Sequence, residues 1–305
     1  MPEGVLILSD AKDSLSSGVL NWAATYATPR NIGRYFGCTM MELAIEMQWA
    51  RQRRAGDLTA IIPDHFVREG STIVDVGASW GLFTYHLARK VGKAGVLYSY
   101  EPHPANSLVL RRLAKAKPYV RFRAAALSNA AGSAEMLVPR HRNRIVTAQS
   151  SLAHGFEGQA GVVIDKITVP TLRLDDEIDS LTRVDFIKID VEGHEIAVLQ
   201  GASATIRRCL PPILIEIEQR HLDVSIENVF KELTGLGYQL FYIDGPVLRP
   251  IAQFDLQHNQ LSKVVENQFN AFSMPKDYVC NFCAVATIDS LNGLPVAELD
   301  RGQSS

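Results

Sequence analysis

Residues 184–195 read VDFIKIDVEGHE, and this stretch decides how the rest of the chain is interpreted. Its first part, Val184–Ile189, is an apolar run typical of a buried strand, yet it contains Lys188 and leads into several carboxylates. Burying a charge costs several kcal/mol unless the charge is paired. A lysine at this position, followed closely by Asp190, therefore indicates a functional site at the end of a strand.

A second stretch points to the same edge of the predicted sheet. Residues 73–81 read IVDVGASWG, a strand pattern that runs into a glycine turn. In an open α/β sheet, ligands bind beyond the carboxyl ends of the strands. The two stretches together predict a nucleotide-type cofactor held across the top of a parallel sheet.

The chain alternates strand and helix patterns from about residue 57 onward. Strands are predicted at 72–76, 95–101, 120–127, 184–190, 212–218, 239–243 and 278–286, with shorter strands at 134–138 and 167–169. Helices are predicted at 82–90, 104–116, 194–206 and 226–236. This alternation favours right-handed βαβ crossovers and a doubly wound parallel sheet. Because little helical pattern precedes the last strand, we expect that strand to insert antiparallel beside its predecessor.

The patterns divide the chain into three segments. Residues 1–56 lack a strand pattern and contain a helical stretch at 40–51, which predicts an N-terminal helical cap or lid, or a simple packing helix. Residues 57–290 form the predicted sheet domain. Residues 291–305 are predicted to be a flexible C-terminal tail.

Composition excludes several classes of protein. Hydrophobic residues make up 47% and charged residues 21%, and the formal net charge is −2, which argues against a broad nucleic-acid-binding surface. No apolar run is long enough for a membrane span, and the N-terminus lacks the pattern of a signal peptide. We therefore expect a cytoplasmic protein. Cys280 and Cys283 match C-x-x-C but lie on a predicted strand that points them to opposite faces, so we interpret them as packing residues.

The glycine turn suggests which cofactor is bound. Gly77 allows a tight turn and close approach of a ligand, and Asp75 precedes it, where an acid can meet an ammonium group. Glu101 ends the next strand, where a carboxylate can accept both hydroxyls of a ribose. The G-x-G-x-x-G pattern that favours a pyrophosphate is absent. We therefore predict S-adenosylmethionine; a nicotinamide dinucleotide and a purely structural turn are the alternatives.

The carboxylates after the buried strand are the candidate catalytic residues. Asp190 is expected to face cofactor and substrate, while Glu192 and His194 are either general bases or residues that begin the next helix. Lys188 and Glu216 have a structural interpretation as well: if their strands are neighbours, the two side chains form a buried ion pair. Nothing in the sequence demands a metal, although Asp190 with Glu192 could hold one.

These motifs resemble the FkbM family of S-adenosylmethionine-dependent methyltransferases over residues 60–286. The matching motifs are DVGASWG at 75–81, Glu101 with Pro102, TLRLDD at 171–176, IKIDVEGHE at 187–195, Glu216, and Asn281 with Phe282. The resemblance implies a Rossmann-like class I methyltransferase fold with seven strands, the last of them antiparallel. It also implies methyl transfer, typically to a hydroxyl of a sugar, glycan or polyketide-like small molecule.

The residue patterns and the resemblance together predict a set of site residues. The predicted cofactor contacts are Asp75, Gly77, Ala78, Ser79, Gly81, Glu101, Pro102, Ser128 and Asp190, and the predicted catalytic residues are Asp190, Glu192 and His194. The family usually has Asn where this chain has Ser79, and it varies at the position of His194. A nicotinamide-dependent oxidoreductase and a non-catalytic S-adenosylmethionine-binding module are the competing interpretations.

Overall fold

A computed structural model describes residues 38–141, 144–145, 152, 162–263, 275 and 277–297. Its helices are α1 (Cys38–Arg54), α2 (Leu58–Phe66), α3 (Leu82–Val91), α4 (Pro104–Ala116), α5 (Leu174–Glu177), α6 (Glu195–Gly201), α7 (Ser203–Cys209) and α8 (Ile226–Gly235). Its strands are β1 (Thr72–Val76), β2 (Val96–Tyr100), β3 (Val120–Arg123), β4 (Ala126–Leu127), β5 (Gly132–His141), β6 (Arg144–Ile145), β7 (Val162–Leu172), β8 (Phe186–Ile189), β9 (Ile213–Glu216), β10 (Gln239–Asp244), β11 (Val247–Pro250) and β12 (Asn281–Val285).

The central sheet has eight strands in the order β3-β2-β1-β8-β9-β12-β10-β11. Strands β1, β2, β3, β8 and β9 run parallel, and β12 runs antiparallel to both of its neighbours, β9 and β10. The strand order reverses at β1, so the loops after β1 and β8 meet at a topological switch point. The predicted seven-stranded arrangement with an antiparallel last strand is confirmed, and β11 adds an edge strand by pairing with β10.

A second sheet, in the order β4-β7-β5-β6, was only partly predicted from the sequence. Strands β5 and β7 pair antiparallel from Gly132 opposite Thr171 to His141 opposite Val162. The predicted strands at 134–138 and 167–169 are therefore the middle of one long antiparallel pair. The single strand predicted at 120–127 is wrong at its end, because β3 stops at Arg123 and the pair Ala126–Leu127 joins β7 instead.

Helices cover both faces of the central sheet. Apolar residues such as Ile73 and Phe186 pack beneath α1 to α4, whereas Val74 and Ile187 pack beneath α6 and α8. Successive strand residues point to opposite faces, so a strand covered on both sides is apolar throughout. The helix predicted at 194–206 divides into α6 and α7 at Ala202, whose ψ of 2° leaves the helical region.

The predicted cap and tail lie at the edges of the described chain. Residues 1–37 and 298–305 lie outside it, and Trp49 of α1 packs against Phe83 of α3. The predicted tail begins too early, because Leu291 is buried and Leu248 pairs with Val296. Among the described helices, none has the length and apolar character needed to cross a bilayer.

Candidate functional site

A pocket of about 250 Å³ opens where the chain leaves β1, β2 and β8. Met136 and Leu152 line it from the side of the second sheet, and Trp80 and Phe83 line it from α3 and the loop before it. The predicted site residues that line the pocket are Gly77, Ala78, Ser79, Glu101, Pro102, Asp190, Glu192 and His194. The switch point of the sheet therefore brings both sequence motifs to one cavity.

Glu101 lines this pocket with a carboxylate that backbone amides already orient. Its Oε2 accepts a hydrogen bond from the Ser79 amide at 2.8 Å, and its Oε1 accepts one from the His103 amide at 2.8 Å. Burial raises the pKa of Glu101 to about 7, although these hydrogen bonds act in the opposite direction. Because each carboxylate oxygen has two lone pairs, Oε2 can still accept a ligand hydroxyl.

The loop after β1 is shaped by left-handed backbone at Gly77 (φ 73°) and Ser79 (φ 50°). A Cβ on Gly77 would lie 1.7 Å from the Asp190 carbonyl oxygen, so the packing of the two loops requires glycine here. The Gly77 and Ala78 amides both donate to the Tyr100 carbonyl at 3.0 Å. Since the Ser79 amide is held by a carboxylate, none of these three amides is left for a phosphate.

Three predicted cofactor contacts, Asp75, Gly81 and Ser128, are outside the pocket lining. Asp75 is fully buried and its Oδ2 accepts a hydrogen bond from Thr84 Oγ1 at 2.5 Å, while burial raises the pKa of the carboxyl. Gly81, with φ 96°, directly precedes α3. Ser128 Oγ lies 3.0 Å from His194 Nε2. Each of these residues therefore contacts or adjoins a residue of the pocket lining.

Lys188 joins the two loops that form the pocket. Its Nζ donates to the Gly77 carbonyl and to Asp190 Oδ2, each at 3.1 Å, and lies 4.0 Å from Asp75 Oδ1. Burial lowers the pKa of Lys188, but the charges of Asp190 and Asp75 outweigh this effect and raise it. The predicted ion pair with Glu216 does not form among the described residues: the register of β1 against β8 sets Asp75 directly beside Lys188, and Glu216 attracts Lys188 only from farther away.

The three predicted catalytic residues lie together on the loop after β8. Asp190 is held by Lys188, and its amide donates to the Val76 carbonyl at 3.0 Å. Glu192 has left-handed backbone (φ 54°), and burial raises the pKa of its carboxyl. Burial lowers the pKa of the His194 imidazole. Each of these side chains lines the pocket and has a defined partner in the protein.

His221, which contacts Glu192, was not predicted from the sequence as a site residue. Its Nδ1 lies 2.6 Å from Glu192 Oε2 and 4.0 Å from Glu218 Oε1. Arg220 in turn donates hydrogen bonds to Glu218 from Nε at 2.7 Å and from Nη2 at 3.0 Å. Burial acts to raise the pKa of Glu218, but the contacts with Arg220 outweigh burial and lower it. The signal available in the sequence was a glutamate and a histidine three residues apart, directly after a strand.

Gln260 fixes the turn that carries His221. Its Oε1 accepts from the Gln219 amide at 2.8 Å, and its Nε2 donates to the carbonyls of Ile217 and Val279 at 2.9 and 2.7 Å. This buried amide ties the end of β9 to the start of β12. His221 is therefore positioned by the antiparallel insertion of the last strand.

The cysteine pair lies inside the sheet. Cys280 and Cys283 are both buried thiols, the first just before β12 and the second within it. Burial raises the pKa of Cys283 to about 12. Both thiols are therefore held in their neutral form.

The model of the family "Methyltransferase FkbM domain" matches residues 75–240, more than half of the chain. The chain belongs to the FkbM methyltransferase family. The methyltransferase sdnD of Sordaria araneosa is 31% identical in an alignment 156 residues long, and the match covers 42% of this chain and 59% of that relative. The chain thus spans less than two thirds of that protein.

Two solved structures are also similar to this FkbM methyltransferase chain. The methyltransferase FkbM from Methylobacillus flagellatus KT is 14% identical, with a TM-score of 0.43, 77% of this chain covered and 54% of that one. The fibrillarin of Aeropyrum pernix, solved with natively bound S-adenosyl-L-methionine, is 13% identical, with a TM-score of 0.38 and coverage of 72% and 68%. Neither TM-score reaches 0.5, so the family assignment comes from the matched domain.

S-adenosylmethionine is the cofactor of the FkbM methyltransferases, and the pocket residues fit it. The carboxylates of Glu101, Asp190 and Glu192 line the cavity, and the cation Lys188 is already engaged by Asp190. This charge suits a ligand with a sulfonium and an ammonium group. A dinucleotide would bring a doubly charged pyrophosphate to the same carboxylates, at a turn whose amides are already engaged.

Proposed function

We propose that this protein is an S-adenosylmethionine-dependent O-methyltransferase that acts on a hydroxyl of a sugar, glycan or polyketide-like small molecule. The observation that carries the proposal is that one cavity contains both a carboxylate suited to the cofactor and side chains suited to accept a proton. Glu101 offers a carboxylate suited to ribose hydroxyls, and Asp190, Glu192 and His194 offer groups able to receive a hydroxyl proton.

The reaction depends chiefly on alignment. Bound S-adenosylmethionine would supply an electrophilic methyl group on a positively charged sulfur. Holding the acceptor oxygen in line with that methyl group contributes about 7–11 kcal/mol to lowering the barrier. A side-chain base adds a factor of about 10²–10⁴ by taking the hydroxyl proton. Lys188 holds Asp190 at the pocket wall, and Ser128 holds His194 there. In these positions, Asp190 and His194 can orient the acceptor.

Ligand binding tests the cofactor half of this proposal. Isothermal titration calorimetry of the full chain is expected to give one-to-one binding of S-adenosylhomocysteine and no binding of a nicotinamide dinucleotide. Tight dinucleotide binding without S-adenosylhomocysteine binding would support an oxidoreductase instead.

Turnover tests the catalytic half. With methyl-labelled S-adenosylmethionine and a panel of sugars, glycans and macrolide alcohols, we expect labelled methyl ethers by mass spectrometry. Asp190→Asn should bind S-adenosylhomocysteine, with some loss of affinity, but lose turnover. Transfer to amines alone would contradict the hydroxyl assignment, and cofactor binding with no transfer to any compound would favour a non-catalytic binding module.

A further inference from the structure

Glu192, Glu218 and His221 present three ligand atoms to one point beside the pocket. One carboxylate oxygen from each glutamate and a ring nitrogen of the histidine all lie within 4.8 Å of one another. The side chains of Glu218 and His221 are 2% and 4% exposed, and that of Glu192 is 17% exposed. The group is therefore enclosed on two sides and open only through Glu192, which also lines the pocket.

The three ligand atoms come from two neighbouring loops of the sheet. Glu192 follows β8, while Glu218 and His221 follow β9. Arg220 occupies one lone pair on each oxygen of Glu218, and a carboxylate oxygen has a second lone pair available. Tyr278 donates a further hydrogen bond to this carboxylate, which leaves one of the four lone pairs of Glu218 for a cation.

The charges around this group are unbalanced. The carboxylates that act on one another there are those of Asp190, Glu192, Glu216 and Glu218, and the permanent cations are Lys188 and Arg220. Among the described residues that act most strongly on the Glu216 carboxylate, Asp190, Glu192 and Glu218 repel its charge and Lys188 attracts it. Uncompensated buried carboxylates are strongly destabilising, so the group favours an additional positive charge.

We propose that Glu192, Glu218 and His221 bind one divalent metal cation next to the methyl-transfer pocket. Two carboxylates and one imidazole suit Mn²⁺ and related divalent cations, and three protein ligands leave coordination positions open. An acceptor hydroxyl bound at an open position would be oriented and made more acidic. This role rests on the proposed function, whereas cation binding itself does not.

Metal binding is measured directly, with Mn²⁺ as the probe. The full chain, stripped of metal and saturated with S-adenosylhomocysteine, is titrated with MnCl₂ by calorimetry and by electron paramagnetic resonance. We expect one site per chain, and a loss of affinity of about tenfold or more in His221→Ala and in Glu218→Gln. His258→Ala and Glu227→Gln make the same changes at exposed positions and should leave the affinity unaltered.

Two controls keep the outcome decisive. Circular dichroism and S-adenosylhomocysteine binding show whether each variant is folded, and ¹⁵N-histidine labelling of the wild type should change the nitrogen coupling of bound Mn²⁺. Absence of saturable Mn²⁺ binding at millimolar concentration, or wild-type affinity in folded His221→Ala, would overturn the metal site. Failure of S-adenosylhomocysteine to bind would instead overturn the proposed function.

Discussion

Glu101 orders the loop after β1 and is also the proposed ribose-binding residue, so its protonation should control cofactor affinity. Burial raises its pKa to about 7, so the carboxylate is charged above that pH and protonated below it. Because the charged form accepts ribose hydroxyls better, S-adenosylhomocysteine affinity should fall as the pH drops through about 7. Glu101→Gln should weaken binding by about 1.5–3 kcal/mol and remove this pH dependence.

Calorimetry across this pH range checks the Glu101 prediction. Glu69→Gln, at an exposed position, serves as the matched control and should behave like the wild type. A Glu101→Gln variant with wild-type affinity and an unchanged pH profile would mean that this carboxylate does not bind the ligand.

Ser79 adopts a conformation that its residue type disfavours. At φ 50° a left-handed backbone costs about 1–2 kcal/mol, except for glycine and, to a smaller extent, asparagine and aspartate. Ser79→Asn should therefore raise the free energy of unfolding, measured by urea denaturation, by a part of that amount. Ser133→Asn on strand β5 tests the same substitution in extended backbone and should give no gain. An equal effect at both positions would show that strain at Ser79 is not the cause.

Periodicity in the sequence predicted which face of each strand a residue occupies, but not which strands lie side by side. The alternation around Lys188 correctly placed a charge inside a strand, yet its partner depends on the pairing of β1 with β8, which no local pattern encodes. His221 was missed for the same reason, because it meets Glu192 only when β8 and β9 lie side by side. The strands and turns were predictable, whereas contacts between strand ends depended on register.

Strands β1 and β8 are coupled by a charge pair that mutation can separate. Lys188→Met leaves Asp75 fully buried without its cation, which should destabilise the protein by about 3–5 kcal/mol. Adding Asp75→Asn should recover part of this loss in urea denaturation, whereas adding Glu216→Gln should recover less. Lys166→Met removes an exposed lysine from its pair with Glu135 and should cost at most about 1 kcal/mol. Better rescue by Glu216→Gln would contradict the pairing with Asp75.

The doubly wound sheet of the whole molecule was predictable from the sequence, because strands and helices each have a local periodicity and the two patterns alternate along the chain. The sequence did not predict how far β5 and β7 pair, because a polar stretch of sequence separates the two strands and few of their described residues are buried. Met136 and Leu152 therefore entered the pocket without any sequence signal. The N-terminal cap was predicted as a helix, and its role as a lid stays a prediction.

The docking of α1 links the N-terminal segment to the pocket. Trp49 is 2% exposed, stacks on His86 and meets Phe83, a pocket residue, with ring centroids 5.1 Å apart. Trp49→Ala should destabilise the protein by about 3–5 kcal/mol and weaken S-adenosylhomocysteine binding, because Phe83 loses its support. Met47→Ala, on the same helix but 64% exposed, should change stability by no more than about 0.5 kcal/mol. Urea denaturation and calorimetry measure both effects, and equal stability of the two variants would show that α1 does not pack on α3 in solution.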